Sequence, residues 1–289
     1  TPAEERAMIR QLAVDYPVTV VCEVLGVARS TVYYTPVVKT TDEALLAAIE
    51  PLLMRWPFYG YRRITAQLKR QGWAVGERRV RRLLKVLEHT ASVGRVRVST
   101  TDSQHTLPRF PNRIKALAIT APNQVWVADI TYIRLGRWFL YLAILLDAFT
   151  RGLRGWHLSR SLDTRLLTTR ALQMALDHHP APAFHHSDQG AQYAAEAYRT
   201  LLPDTTQVSM SAPGRPTENG IAERFMRSLK EEHVDYADYR DEADAFQQIG
   251  HWLEVEYMTE RIHSSLGYLT PAEFEAICTQ SEVSPLCSA

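Results

Sequence analysis

A chain of 289 residues, 46% hydrophobic and 22% charged, is long enough for two or three domains with real cores and has the balance of an ordinary globular protein. No run of about 18 apolar residues occurs, which argues against a spanning helix. No signal-peptide pattern opens it. Cys22, Cys278 and Cys287 are too dispersed for a disulfide framework or a zinc site, so a reducing cytoplasm is the expected compartment. The net charge of +1 hides a split: residues 1–115 carry 19 Lys+Arg against 10 Asp+Glu, and residues 116–289 carry 14 against 22. The first part suits a polyanion and the second a cation-binding core.

Residues 1–36 read as a small helical unit. Helices are expected over Glu4–Val14, Val18–Leu25 and Val27–Tyr34, broken by Gly26 and closed before Pro36. A helix, a glycine-bearing turn and a helix opening near Arg29, Ser30 and Thr31 form a helix-turn-helix pattern, with those three residues as candidate DNA contacts. A helical hairpin without DNA contact has the same pattern.

Residues 42–90 form a second helical unit, with helices over Glu43–Met54, Tyr61–Arg70 and Glu77–Glu88. In the last, Val80, Leu83, Leu84 and Leu87 share one face, while Arg78, Arg81, Arg82 and Lys85 share the other. No acid interrupts that basic face, which favours phosphate contact over a merely solvated surface. Arg62 and Arg63 on the preceding helix are further candidates.

Residues 91–117 read as a basic linker. From 118 to 235 the pattern changes to strands over Val125–Arg134, Arg137–Phe149 and Arg151–Ser159. A helix Asp163–His178, a strand Pro182–Ser187, a helix Ala191–Leu202, a strand Thr206–Ser211 and a helix from Thr217 to His233 follow. Three strands followed by alternating helices and strands predict a mixed sheet covered by helices. Residues 236–289 read as a helical extension, with a long helix Asp241–Thr259 and a helix start at Thr270-Pro271-Ala272-Glu273.

Three carboxylates carry the chemistry. Asp129 lies inside the first strand among apolar residues, where a charge is costly unless paired or metal-bound. Asp188 closes the fourth strand ahead of Gly190, a common place for a site in an open α/β sheet. Glu223 lies in a helix, on a face shared with Asn219, Arg227 and Lys230. Singly, each could be a cap, a turn residue or a salt-bridge partner. Together they would repel unless a cation is shared, and oxygen donors select magnesium or manganese. Two such ions can activate an attacking oxygen and stabilise a leaving one. The paired histidines His178, His179, His185 and His186 lack zinc-site logic and read as structural or solvent-facing, though His186 stands beside Asp188. Asp147, at a strand end, reads as structural.

Several stretches resemble one known family. They are Trp126-Val-Ala-Asp-Ile-Thr-Tyr-Ile, His186-Ser-Asp-Gln-Gly-Ala-Gln-Tyr193, Asn219-Gly-Ile-Ala-Glu-Arg-Phe with Leu229-Lys230, Tyr59-Gly-Tyr-Arg-Arg-Ile64, and Arg261-Ile-His-Ser-Ser-Leu-Gly-Tyr-Leu-Thr-Pro271. They resemble the retroviral-integrase superfamily of RNase H-like polynucleotidyl transferases, and within it the B-frame products of bacterial insertion sequences of the insertion-sequence-three type. The resemblance implies an RNase H-like α/β core with a mixed five-stranded sheet and flanking helices, preceded by two small all-α helix-turn-helix domains and followed by a helical tail. It implies a DDE-type transposase in which Asp129, Asp188 and Glu223 hold two Mg2+ or Mn2+ ions and Lys230 contacts DNA, with Arg227 beside it. It further implies double-stranded DNA, both element ends and target, as partner. A homo-oligomer on that DNA, an upstream-frame (orfA) partner or fusion, and a cytoplasmic, nucleoid-associated location also follow.

The chain departs from the family pattern in places. Between Asp188 and Glu223 lie 34 residues, one fewer than the family usually has, and Glu218 and Met258 stand where it usually has Asp and Asn. The zinc-binding N-terminal module of retroviral integrases has no counterpart here. A catalytically silent DNA-binding regulator and an RNase H-like nuclease of another role remain the alternatives.

Overall fold

The computed structural model describes residues 8–9, 11–33, 40–89, 107–212 and 215–283. They fall into two compact units, Thr1–Glu50 and Pro51–Ala289. In the first, α1 (Val18–Val24) and α2 (Arg29–Tyr33) close over Ile9, Val21, Cys22 and Val32, with Val18 and Val27 packed against them. Arg29 and Ser30 lie exposed at the start of α2. Thr31 is on the same helix, with its side chain outside the described residues; residues 4–7 and 10 of the helix expected over Glu4–Val14, and residues 90–106, also lie outside them. Helix α3 (Thr40–Arg55) begins in the first unit and ends in the second.

The second unit opens with α4 (Tyr61–Arg70) and α5 (Glu77–Val86), which pack on each other. Apolar residues three and four apart put Ile64, Leu68, Val80, Leu83 and Leu84 on the buried side. The opposite face of α5 exposes Arg78, Arg81, Arg82 and Lys85. Glu77 in its first turn and Lys85 in its last complement the helix dipole.

The sheet contains β1 (Val125–Leu135), β2 (Trp138–Asp147), β3 (Leu153–Ser159), β4 (Phe184–Ser187) and β5 (Gln207–Met210), in the order β3-β2-β1-β4-β5. The first three run antiparallel, and β4 and β5 join β1 in parallel. Period-two alternation sends Val125, Val127 and Ile133 to one face and Trp126 and Ala128 to the other. The second face is covered by α6 (Thr168–His178), α7 (Ala191–Ala194) and α8 (Glu196–Arg199). A Cβ on Gly155 would lie 2.3 Å from the Ala171 carbonyl oxygen, so glycine is what lets α6 settle on β3. A single helix Ala191–Leu202 is expected, but Ala195 is extended (φ −61°, ψ 138°) and splits it into α7 and α8.

The first face is covered by α9 (Gly220–Leu229) and α10 (Glu242–His251). Each continues into π-helical geometry, over Lys230–Val234 and Trp252–Glu260, where uninterrupted α-helices are expected. Phe225, Met226 and Leu229 of α9 share one core with Ala245, Ile249, Trp252, Leu253 and Tyr257. The C-terminal stretch is helical as expected, and its first half is also part of the sheet's core. Truncating Leu229 to Ala there would cost about 2–5 kcal/mol. The last helix, α11 (Pro271–Val283), has the expected reciprocal cap: Thr270 N–H donates to Glu273 Oε2 (2.9 Å) and Glu273 N–H to Thr270 Oγ1 (3.2 Å).

Asp147 is fully buried and structural. Its carboxylate accepts the Asn123, Phe149 and Thr150 amides at 2.5, 2.8 and 2.8 Å and pairs with Arg154 at 3.2 Å. It ties the β2–β3 turn to the segment entering β1.

Candidate active site

Strand pairing brings the first two carboxylates together. Asp129 sits on β1 opposite Ile144 of β2. On its other side β1 pairs with β4 as far as Val127↔His186, so two further residues in the same parallel register place Asp129 level with Asp188. Asp188 follows β4 directly, and its Oδ1 accepts the Gly190 amide at 2.9 Å. A Cβ on Gly190 would also lie 2.9 Å from that oxygen, so the turn that presents Asp188 is built for glycine.

The third carboxylate arrives with α9. Glu223 is in its first turn, half-buried, while Ala222, Phe225 and Met226 go to the core. Asn219, just before α9, is buried and donates through Nδ2 to the Ala128 carbonyl at 3.1 Å. That bond stitches the start of α9 to the strand residue adjoining Asp129. Lys230 begins the π-helical turn, with its ammonium 4.8 Å from the centre of the Tyr132 ring on β1. Tyr132 in turn meets Phe139 edge-to-face. Arg227 is exposed.

The electrostatics are those of acids that repel one another. Burial, then the Asp188 charge and, less strongly, Glu223, push the Asp129 carboxyl up to about 7, against a smaller pull from its own chain's Ile130 amide and from Lys230. The Tyr193 hydroxyl is buried without a hydrogen-bond partner among the described residues, and burial, Tyr198, Asp129 and Asp188 all hold its proton on. The buried Asn219 Oδ1 is likewise unsatisfied. Among the described residues no three His, Cys, Asp or Glu side chains are gathered closely enough to enclose a metal as they stand. The donor set is all oxygen, mutually repelling and bordered by unsatisfied polar atoms, which fits a hard divalent cation. Tyr193 and Asn219 carry no charge pattern to mark them, and only their place beside Asp188 and Glu223 in the quoted stretches pointed their way.

The flanking residues are structural. Glu218 Oε2 accepts the Ala212 amide and Asn112 Nδ2, both at 2.9 Å, and these bonds hold its carboxyl below the usual range. The glutamate therefore clamps the segment before α9. His186 bridges Ser209 Oγ (2.8 Å) and Ser211 Oγ (3.1 Å), and burial lowers it to about 4. His185 meets the Tyr198 hydroxyl at 2.8 Å and burial lowers it to about 3. Both are neutral members of the β4–β5 core.

The helical domain divides its cations. Arg62 and Arg81 stack over the Tyr61 ring at 4.9 and 5.6 Å, on the side that also exposes Arg62 and Arg81. Arg63 turns the other way, lying 4.9 Å over the Tyr59 ring and 3.3 Å from Glu232. Expected as a DNA contact, it is engaged inside the protein. Glu232 was not legible as a partner, because it enters through the π-helical turn.

Known families match most of the chain: an HTH-like domain over residues 40–97, and integrase core domains over 119–216 and 204–271. The uncharacterized 31 kDa protein of insertion element IS600 from Shigella sonnei is 37% identical over 264 residues, covering 88% of this chain and 96% of that one. The transposase InsF for insertion sequence IS3A from Escherichia coli (strain K12) is 31% identical over 277 residues, covering 90% and 94%. Among solved structures, a simian T-cell lymphotropic virus intasome in complex with a PP2A regulatory subunit aligns with a TM-score of 0.45 and 16% identity, over 79% of this chain and 73% of that one. With its HTH-like domain, its integrase core and these relatives over most of their own length, the chain belongs to the transposases of IS3-type insertion sequences.

Proposed function

We propose that this transposase binds the terminal inverted repeats of its element and carries out divalent-metal-dependent cleavage and strand transfer by in-line attack on phosphodiesters. The observation that carries the reading is the convergence of Asp129, Asp188 and Glu223 from a strand, a strand end and a helix, with a carboxyl raised to about 7 among them. Asp129, Asp188 and Glu223 would hold Mg2+ or Mn2+, two ions per site. When bound, such ions polarise the scissile phosphate and activate the attacking oxygen.

The protein's own groups do the rest. Lys230, two turns after Glu223, would hold a phosphate next to the site, leaving Tyr132 to do so. Asn219 fixes the start of α9 and so the reach of Glu223. The exposed cations of α5, with Arg62, would bind duplex DNA through its phosphates, and Arg29, Ser30 and Thr31 would add contacts from the first unit. No covalent protein–DNA intermediate is needed, since water and then the freed 3′ hydroxyl serve as nucleophiles. Two copies would be needed to hold two element ends. We assign the protein to the cytoplasm, at the nucleoid; among the described residues no helix is long and apolar enough to cross a membrane.

The test is cleavage of terminal-repeat DNA with magnesium. Asp188→Asn and Glu223→Gln should abolish nicking while leaving end binding intact. A variant that still nicks sinks the assignment.

A further inference from the structure

The stretches Tyr59–Ile64 and Arg261–Pro271 take no part in the carboxylate cluster, yet they meet at Glu232. This residue lies in the π-helical turn two positions after Lys230. Its side chain is 5% exposed and that of Arg261 is 6% exposed. Arg261 grips it bidentately, Nε to Oε2 and Nη2 to Oε1, both at 2.6 Å. The same Nη2 donates to Ser228 Oγ at 3.1 Å. Ser228 and Glu232 bracket Lys230, so one guanidinium holds both sides of the turn that carries the lysine.

Arg63 of α4 joins this grip from the HTH-like domain. It donates through Nη1 to Glu232 Oε1 at 3.3 Å, under cover of the Tyr59 ring. The Tyr59 hydroxyl accepts the Ile262 amide at 3.3 Å. At the rim of the same seam, Arg55 pairs with Glu260 (2.6 Å) and Glu256 (3.4 Å), and Arg70 with Glu273 (2.5 Å).

We infer that Glu232 and Arg261 are positioning residues for Lys230, and that Arg63 couples the seating of the HTH-like domain to the placement of that lysine. Arg261 alone already satisfies both carboxylate oxygens. The added Arg63 ties their position to α4, the helix packed against the basic helix α5. Movement of the α4–α5 pair on DNA would then be felt at the Lys230 turn. The inference rests on the proposed role of Lys230, and its test separates the two.

The full chain is compared with Arg63→Gln and Arg63→Lys, measuring end-DNA affinity, cleavage rate at saturating DNA, and amide hydrogen exchange across 228–234. Arg63→Gln should leave affinity within about twofold, slow saturated cleavage about tenfold and speed exchange about tenfold, the size of an ordinary coupling between sites. Arg63→Lys, which keeps the charge, should recover part of both losses. Weaker DNA binding with an unchanged saturated rate would make Arg63 a DNA contact and overturn the inference. Unchanged exchange across 228–234 would also overturn it, even if the unsubstituted protein did not cleave at all, a result that would bear on the proposed function instead.

Discussion

Two sets of carboxylates, one buried and one half-buried, stand on the same scaffold and are treated in opposite ways. Asp147 receives three backbone amides and Arg154, and Glu232 receives two arginines. Asp129 receives one amide, from its own neighbour, and faces two more acids. The first set is satisfied from within the protein and serves architecture. In the second, neighbouring acids help to raise the Asp129 carboxyl, and the Ile130 amide and Lys230 offset that only in part. Burial of an acid therefore says little about its role; what neutralises it says much more.

Replacing one member of each set separates the two roles most strongly. Asp188→Asn should lower cleavage on the order of 10³-fold or more with little loss of thermal stability. Asp147→Ala should do the reverse, costing about 3–5 kcal/mol because it leaves the Asn123, Phe149 and Thr150 amides without their acceptor and takes one of two carboxylates from buried Arg154, while cleavage per folded molecule stays near normal. Paired thermal melts and nicking assays decide it; equal stability losses in the two variants would erase the distinction.

A finer test uses pH. The Asp129 carboxyl is raised from 3.8 to about 7, so in cation-free protein the stability its proton confers is present below about 4 and is lost as pH rises through 7. The difference in melting between the parent and Asp129→Asn should follow that window, and magnesium should shrink it. Below about 7 the proton competes with the ion, and magnesium affinity should weaken by up to about tenfold per pH unit. Calorimetric titration at several pH values checks this; a flat profile would mean that Asp129 is not a ligand. The buried His185 and His186, lowered to about 3 and about 4, act in the other direction, removing stability as pH falls below about 6.5, which is why the variant difference is the quantity to follow.

The smallest effect concerns the basic face. Each of Arg78, Arg81, Arg82 and Lys85 that touches a phosphate should, when changed to Gln in the full chain, flatten the log–log salt dependence of end binding by about 0.9. Arg63→Gln should not. Anisotropy titrations across a salt series would show whether the two kinds of arginine differ.

Much of this contrast is legible in the amino-acid order. The basic face of α5 follows from its helical period, and the strand pattern yields Asp129 and Asp188 at the right places, because apolar runs and a Gly-bearing turn are local signals. Arg63 is a candidate DNA contact by sequence because adjacent arginines look alike until Tyr59 and Glu232 are seen to engage one of them. Glu232 stays hidden for a similar reason: its partners Arg63 and Arg261 lie far away in the chain, and the π-helical turn after Leu229 departs from the wheel that a straight helix would obey. The clamp role of Glu218 likewise depends on Asn112, 106 residues away in the chain.

Among the described residues β1 pairs with β4 only through Val127 and then, past the Ala128 carbonyl held by Asn219, runs on to Leu135, about 23 Å of strand with no paired strand on that side. A bare strand edge usually invites another chain to add on, and proteins guard against it. Here the edge begins at Asp129. The step in the sheet that would be a hazard for self-association elsewhere is what leaves the acid cluster approachable from outside.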